Sequence, residues 1–415
     1  MTKVLINGLF LTQRPTAAQR YACETLRALD DLLAAPGRPN DLHFAVIAPR
    51  NAPRLPLKNI DMAYTGCVGG YAWEQLTLPY YARGSVLLNL CPTGPLLCRN
   101  QVVTMHDTTV FTMPEALHWH ERIWQRWFLP GLARRACYLV AVSQATKWNL
   151  VAHYGTDAEQ IHVSGEGWDH VIGVHPDPSV LTRHNLHGQD YVLLRVDMQG
   201  TRSPDMQLAL AIATTLEHQA LKLAVVGAVD KRTSERIQAQ APAIELVGDV
   251  SDEALRSLYE HAVAFVDSAG LEGQEGSEQG LLEALAYHCP VVTARSANNR
   301  ETCGEAALYY HPHDPAGLVR ILVRLQRDRT LGASLVAKGQ EVLRQCTWKA
   351  AALRHLAALN YHCRPRRTPR SMPPMPPLGT PNGGGALRPS LVPPLSRPSN
   401  KPPRPLNRGH HRLPS

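Results

Sequence analysis

The sequence predicts an α/β protein made of two doubly wound parallel sheets. Short apolar runs of the kind that form buried parallel strands alternate with helical patterns along most of the chain. At 415 residues the chain is too long for one core and suits two domains of ordinary size. The alternation is interrupted near residues 175 to 190 by Pro176, Pro178 and Gly188. We therefore expect domains at residues 1–178 and 179–362, followed by a tail at 363–415.

The first half opens with a strand, a loop and then a helix. Further strands of this half are expected at residues 44–47, 86–88, 102–105, 139–142 and 161–163. The loop runs from Asn7 to Ala17, and the helix after it repeats apolar residues on one side, among them Tyr21 and Leu29. Free amides and the helix dipole both favour anions where a loop meets a helix N-terminus. We therefore expect Gly8, Thr16 and Arg20 to line a loop for a phosphate or an acceptor.

The second half repeats the alternation and adds a pair of acids. Its strands are expected at residues 191–194, 223–227, 244–247, 264–266 and 291–292. Glu275 lies in a glycine-containing loop after the strand at 264–266, and Glu283 lies at the start of the next helix. Parallel sheets of this kind bind ligands at the carboxyl ends of their strands. One carboxylate can therefore reach a ligand from the loop and the other from the helix.

The stretch from Glu275 to Val292 resembles the Glu-x7-Glu signature of family-4 retaining glycosyltransferases. It keeps both acids, Gly276, the core Leu282-Glu283-Ala284 and the run Cys289-Pro290-Val291-Val292. The order of Thr104-Met105-His106-Asp107, Gly165-Glu166-Gly167-Trp168-Asp169 and the turn from Gly248 to Leu255 also matches this family. The resemblance covers about residues 3 to 360 and implies the GT-B fold, in which two Rossmann-like domains face each other across a cleft.

The resemblance also implies roles for individual residues. In the catalytic group, His106 would contact the transferred sugar, Asp107 would orient nearby groups, and Glu275 would contact the sugar ring. In the donor-binding group, Glu283 would bind the ribose hydroxyls of the nucleotide, with Gly276 and Leu281 beside it.

Two departures from the family pattern concern the donor phosphates. Ala17 stands where the family usually has glycine, and the usual lysine after the strand at 191–194 is absent. Arg202 is the first candidate to replace that lysine, with Arg195 as the second. The chain also contains no Asp-x-Asp, the usual acidic clamp for a metal-bound diphosphate. We therefore expect metal-independent transfer with retention and no cofactor, with arginines and helix N-termini meeting the charge of the leaving group.

Three functions are compatible with these patterns. The first is a retaining transferase that moves a sugar, with mannose as the expected one, from a nucleotide-sugar to a saccharide or lipid-linked acceptor in cell-surface polysaccharide synthesis. The second is a weak or inactive member that binds nucleotide-sugar and assists a polysaccharide assembly complex. The third is a sugar-nucleotide epimerase of the same fold. That interpretation does not explain the spacing of Glu275 and Glu283.

The tail differs in composition from the rest of the chain. From His362 onward it holds nine Arg, Lys401, no acid and 15 of the 33 prolines, so we expect it to be disordered. Its charge could bring the protein to an anionic membrane, but a passive appendage or a disturbed reading frame fits equally well, and a role as an SH3-type ligand fits less well. The rest of the chain is nearly neutral, and no nucleic-acid partner is expected. The N-terminus leads into a strand rather than a signal peptide, so we expect a cytoplasmic protein, with contact at the inner membrane face through the tail.

Overall fold

The structure is a computed structural model that describes residues 2–34, 42–108, 111, 119–196, 204–216, 220–229, 234–235, 237, 241, 243–268 and 278–363. These residues form one compact unit. Within them, no helix is long and apolar enough to cross a membrane. Glu275, Gly276, Arg202 and the predicted tail fall outside the described residues.

The first half contains a parallel sheet with the strand order β3-β2-β1-β4-β5-β6-β7. Its strands are β1 (Thr2–Asn7), β2 (Leu42–Pro49), β3 (Asp61–Thr65), β4 (Val86–Asn89), β5 (Gln101–Met105), β6 (Tyr138–Ala141) and β7 (Ile161–Val163). The helices of this half are α1 (Ala17–Ala34), α2 (Gly70–Ala72), a π-helical turn at Trp73–Thr77, α3 (Leu78–Tyr81), α4 (Trp119–Arg135) and α5 (Gln144–Tyr154).

The second half contains a parallel sheet with the order β10-β9-β8-β11-β12-β13. Its strands are β8 (Tyr191–Arg195), β9 (Lys222–Val226), β10 (Ile244–Gly248), β11 (Ala264–Asp267), β12 (Val291–Ala294) and β13 (Ala307–Tyr310). The helices that follow the first half are α6 (Ser179–Arg183), α7 (Pro204–Leu216), α8 (Asp252–His261), α9 (Gln279–Ala286), α10 (Ala297–Cys303), α11 (Pro315–Arg327), α12 (Arg329–Leu343) and α13 (Trp348–Cys363).

The predicted fold class is confirmed, and the sequence missed two strands. Helices cover both faces of each sheet, so the central strands read as continuous apolar runs, as in β4 with its four buried residues. The edge strand β3 has no buried residue and therefore no apolar run to detect. The second missed strand, β13, is an edge strand of the second sheet with two buried residues of four. Its burial does not explain the miss, since the edge strand β10 also has two buried residues and was predicted.

The last helix, α13, returns to the first half of the molecule. Its residues Ala352, Leu356 and Leu359 pack in the same core cluster as Val4 of β1 and Val86 of β4. The domain boundary after residue 178 stays a prediction. The packing of α13 shows that the end of the predicted second domain contacts the first sheet. The chain therefore links the two halves twice, near residue 178 and again before Trp348.

This packing predicts that Leu359→Ala destabilises the protein, because it leaves a cavity under the first sheet. The expected loss in the free energy of unfolding is about 2–5 kcal/mol, measured by urea denaturation. Leu353→Ala is the matched control, since Leu353 is exposed on the same helix, and it should cost less than about 0.5 kcal/mol. Equal costs for the two variants would contradict the described packing of α13.

Candidate functional site

Several polar contacts join the two halves at the carboxyl ends of their strands. One of them is a salt bridge between Arg20 on α1 and Asp252 at the start of α8, with N···O distances of 3.0 and 3.2 Å. The side chain of Ser251 accepts a hydrogen bond from the amide of Ala254, which places Asp252 in the first turn of α8. The guanidinium of Arg20 therefore meets the carboxylate of Asp252 with both of its terminal nitrogens.

Two further contacts involve the N-termini of helices. Gln279, the first residue of α9, donates through its side-chain amide to the carbonyl of Ala17 over 2.8 Å. Glu301 of α10 accepts hydrogen bonds from the amides of Gln144 and Ala145 at 2.8 and 3.1 Å, and so satisfies the start of α5. The strand ends of the two sheets therefore meet at one junction.

Glu283 is the central carboxylate of this junction. It lies in the second turn of α9, four residues after the start of the helix, and only 3% of its surface is exposed. Its Oε1 atom is 3.2 Å from Nε2 of His170, and its Oε2 atom is 2.9 Å from Nη1 of Arg195. The expected position of Glu283 at the start of a helix is therefore corrected: the helix begins four residues earlier, at Gln279, and the Glu283 side chain is buried.

The hydrogen bonds of His170 fix its tautomer. Trp348 Nε1, which can only donate, lies 3.0 Å from Nδ1 of His170, so Nδ1 must be an acceptor. The proton of the neutral ring is then on Nε2 and points to Glu283. Trp348 itself is held by its backbone amide, which donates to Asp169 over 2.7 Å. A chain of donors thus runs from the first turn of α13 to the carboxylate of Glu283.

The charge state of Glu283 follows from these partners. Burial alone would raise the pKa of this carboxyl group, but the hydrogen bond from His170 and the charges of Arg195 and Arg20 lower it below its ordinary value. The pKa of Arg20 is raised, because the hydrogen bond to Asp252 and the field of Glu283 outweigh the opposing effect of burial. Glu283 is therefore ionised at neutral pH, with Arg195 bonded to it and the charge of Arg20 acting on it.

His106 lies at the end of β5, as predicted, and is neutral. Burial lowers its pKa, and the carbonyl of Leu90 and the charge of Asp107 only partly oppose this effect. Its Nε2 atom is 3.0 Å from the carbonyl oxygen of Leu90, which can only accept, so the ring proton is on Nε2. The Nδ1 atom of this tautomer is an acceptor. His106 can therefore accept a hydrogen bond from a ligand hydroxyl, but it is not a cation.

Tyr21 of α1 connects His106 with the residues around Trp348. Its ring makes edge-to-face contacts with His106 at 4.7 Å and with Trp348 at 5.6 Å between centroids. Its hydroxyl is 2.7 Å from Oγ of Ser164 and 2.8 Å from Nε2 of His355. The strand-end histidine and the donor chain to Glu283 therefore pack against one buried tyrosine.

Three other predicted residues have structural roles that differ from the expected ones. The Gly8 amide donates to the carbonyl of Ile47 over 2.7 Å, so it is not free for a phosphate. A Cβ atom on Gly8 would lie 2.8 Å from Cβ of Ala48, and close packing on β2 therefore explains the glycine. Thr16 is exposed before α1, where its hydroxyl bonds the side chain of Gln19. The Leu281 side chain is buried in the core of the second half, so only its backbone could contact a donor substrate.

The sequence did not identify His170, Asp252 or Trp348 as site residues. Asp252 belongs to the turn from Gly248 to Leu255, and His170 directly follows Asp169 of the other matched turn, so both had a local signal. Trp348 had none, because it approaches His170 from 178 positions along the chain.

We predict that Glu283→Gln lowers the free energy of unfolding by about 1–3 kcal/mol at pH 7, because an amide has one acceptor oxygen for two donors. A group whose folded pKa is depressed stabilises the protein above its unfolded pKa of about 4.3, and this contribution is lost as the pH falls through the folded pKa. The difference between the wild type and the variant in urea denaturation should therefore shrink below about pH 4.

The matched control for this variant is Glu305→Gln, which removes an exposed ion pair with Lys338. It should change stability by less than about 1 kcal/mol at any pH. A Glu283→Gln variant as stable as the wild type at pH 7 would show that the carboxylate is not held by His170 and Arg195.

Two family models match the sequence. Residues 80–170 match the model described as Glycosyltransferase Family 4, and residues 204–328 match the one described as Glycosyl transferases group 1. The first match includes His106, and the second includes Asp252 and Glu283. A search of curated proteins finds no match.

Several solved structures share the fold. HepE from Anabaena in complex with UDP is 14% identical, with coverage of 87% of this chain and 100% of that one and a TM-score of 0.64. Sucrose-phosphate synthase from Thermosynechococcus elongatus is 15% identical, with coverage of 87% and 99% and a TM-score of 0.62. A glycosyltransferase from Rickettsia africae is 12% identical, with coverage of 87% and 98% and a TM-score of 0.60.

At these identities the structural likeness shows the fold alone, and the family models add the sequence relationship. The chain therefore has the GT-B fold, and two of its segments are similar to the two glycosyltransferase family models.

Proposed function

We propose that this protein transfers a sugar from a nucleotide-sugar to a saccharide or lipid-linked acceptor, with retention at the anomeric carbon. The observation that carries the proposal is the buried Glu283 at the carboxyl ends of the strands, which is bonded to Arg195 and His170 and stays ionised. A buried charge with fixed partners, at the place where doubly wound sheets bind ligands, is typical of a binding site.

The donor binds on the side of the second half. A carboxylate can accept about four hydrogen bonds, so Glu283 retains capacity for ribose hydroxyls beyond its bonds to His170 and Arg195. Arg195 is the more accessible partner, with 42% of its side chain exposed. It meets the diphosphate together with Arg202, which remains a prediction from sequence. The solved structures of HepE with UDP and with UDP-glucose support a nucleotide-sugar as the donor class.

The sugar binds on the side of the first half. His106 is neutral and its Nε2 proton is used by Leu90, so its Nδ1 atom accepts a hydrogen bond from a sugar hydroxyl. Asp107 lies beside His106, and Glu275 would contact the sugar ring from the second half, as the resemblance implies. A hydrogen bond that strengthens as charge develops on the sugar raises the rate more than the affinity.

The transfer needs no covalent intermediate with the protein. The bond between the anomeric carbon and the phosphate oxygen breaks, and the electron pair leaves with the nucleoside diphosphate. The acceptor oxygen bonds to the same face of the sugar, and its proton passes to the departing phosphate. Arginines and helix N-termini stabilise the negative charge of the leaving group, so we expect turnover without a divalent metal ion.

The proposed process is the synthesis of a cell-surface polysaccharide in the cytoplasm, with mannose as the expected sugar. The basic tail would add contact with the inner face of an anionic membrane.

A role in binding nucleotide-sugar without transfer is the second candidate. Two features at the start of α1 favour it. Ala17 stands where the family usually has glycine. The carbonyl of Ala17 also accepts a hydrogen bond from the side-chain amide of Gln279, which occupies part of the loop that would approach a diphosphate. Such a protein would assist an assembly complex rather than catalyse a step.

We predict that a nucleoside diphosphate raises the temperature of thermal unfolding of the wild type.

We also predict that His106→Ala lowers turnover at least about 100-fold. The affinity of this variant for the nucleoside diphosphate should change less than about threefold, because His106 acts on the sugar. The measurements are thermal shift with UDP, GDP and ADP, titration calorimetry, and sugar transfer in the presence of EDTA.

The matched control is His43→Ala, which removes an exposed histidine from β2 of the same half. Wild-type turnover in His106→Ala would exclude His106 from the reaction. Nucleotide binding without turnover on any saccharide or lipid-linked acceptor would support the binding role instead.

A further inference from the structure

The elements on one face of the first sheet form a surface with unusual composition. Leu5 of β1 and Leu87 of β4 pack on this face against Trp73 and Leu78, whereas their neighbours Val4 and Val86 pack on the opposite face with α1 and α13. Further along the sheet, α4 and α5 cover the same face through Phe128, Leu132 and Leu150. We call the outer side of the segment 70–83, the loop 94–99 and α4 the aromatic face.

The aromatic face exposes large apolar side chains. Leu76, Leu97 and Trp127 are 73%, 74% and 80% exposed, and Trp124, Tyr80 and Tyr81 are also exposed. Four of these six are Tyr or Trp, which carry an apolar ring and a polar group and are enriched where a membrane meets water. Soluble monomers rarely expose so many large apolar side chains together unless they bind a partner there.

The three segments of the aromatic face contact one another. The Gln75 side chain donates to the carbonyl of Gly94 over 3.0 Å and accepts from the amide of Leu96 over 3.0 Å. Leu96 packs in the cluster that contains Phe128 of α4. Trp124 and Trp127 are three positions apart and therefore share one side of this helix, and Trp124 stacks on Phe128 at 4.7 Å. The exposed side chains thus belong to one continuous part of the surface.

Among the described side chains of the aromatic face, which do not include Glu121 in the first turn of α4, the exposed charges have one sign. Arg83, Arg99, Arg126, Arg134 and Arg135 are exposed, and Arg83 lies over the ring of Tyr80 at 5.3 Å. Among the described side chains of residues 70–108 and 124–135, the acids are Glu74, which is buried, and Asp107, which is half-buried at the junction. Exposed arginines between aromatic rings, with no exposed acid among these described side chains, are complementary to a surface that is anionic and partly apolar.

We propose that the aromatic face binds the surface of an anionic lipid bilayer. Tyr, Trp and Leu side chains would enter the interface between headgroups and acyl chains, and the arginines would contact the lipid phosphates. This contact involves the folded first half and is separate from the tail. The proposed bilayer contact does not depend on the sugar transfer proposed above, since it concerns binding alone. If that transfer is correct, the bilayer contacts the half that carries His106, where a lipid-linked acceptor would arrive.

The test is cosedimentation of the full chain with vesicles of phosphatidylcholine, with and without phosphatidylglycerol. The wild type should bind the anionic vesicles and release as salt rises. Trp124→Ala/Trp127→Ala should lower the partition coefficient about tenfold, and Arg134→Ser/Arg135→Ser should lower it on anionic vesicles alone. Trp127→Ser is a second variant that leaves the packing of Trp124 on Phe128 intact, and it should also weaken binding.

The matched control is Leu353→Ala/Tyr361→Ala, which removes two exposed apolar side chains from α13 on the opposite face of the same sheet. This control should bind vesicles as the wild type does. Wild-type binding in both tryptophan variants, an equal loss in the control, or binding to soluble dextran sulfate without binding to vesicles would overturn the proposal.

Discussion

The described structure depends on one buried charge. An ionised carboxylate costs several kcal/mol to remove from water, and only fixed donors and counter-charges offset that cost. Glu283 accepts hydrogen bonds from His170, which lies before β8, and from Arg195 at the end of β8. The positive charge of Arg20, on α1 of the first half, also stabilises it. Removing one partner would leave the charge poorly compensated. The position of Glu283 therefore constrains where both halves and their strand ends lie.

The returning helix α13 connects this charge to the core of the first half. Trp348 donates to His170 in the first turn of the helix, and later turns of the same helix pack under the first sheet. Tyr21 lies between Trp348 and His106, so the proposed sugar side and the proposed donor side share one packed group. A shift of α13 would therefore change the orientation of His170 and the surroundings of His106 together.

The fold and part of the site could be predicted from sequence for different reasons. Central strands are buried on both faces, so their apolar runs are visible locally, whereas the edge strand β3 is not. Glu283, His106 and Arg20 lie in local motifs. Their partners come from far along the chain: Glu283 and His170 are 113 positions apart, and Arg20 and Asp252 are 232 apart. No local pattern encodes such pairs. For the same reason, the burial of Glu283 and the bonded amide of Gly8 were not predictable.

The most direct test of the account compares a nucleoside diphosphate with its 2′,3′-dideoxy counterpart by titration calorimetry on the wild type and on Glu283→Gln. The nucleotide is the one that gives the largest thermal shift. If ionised Glu283 accepts the ribose hydroxyls, the wild type should bind the dideoxy compound about 10–100-fold more weakly, since a hydrogen bond to a charged group contributes about 1.5–3 kcal/mol. The variant should lose less than about threefold between the two ligands. An equal loss in both proteins would contradict the assignment of Glu283 to the donor site.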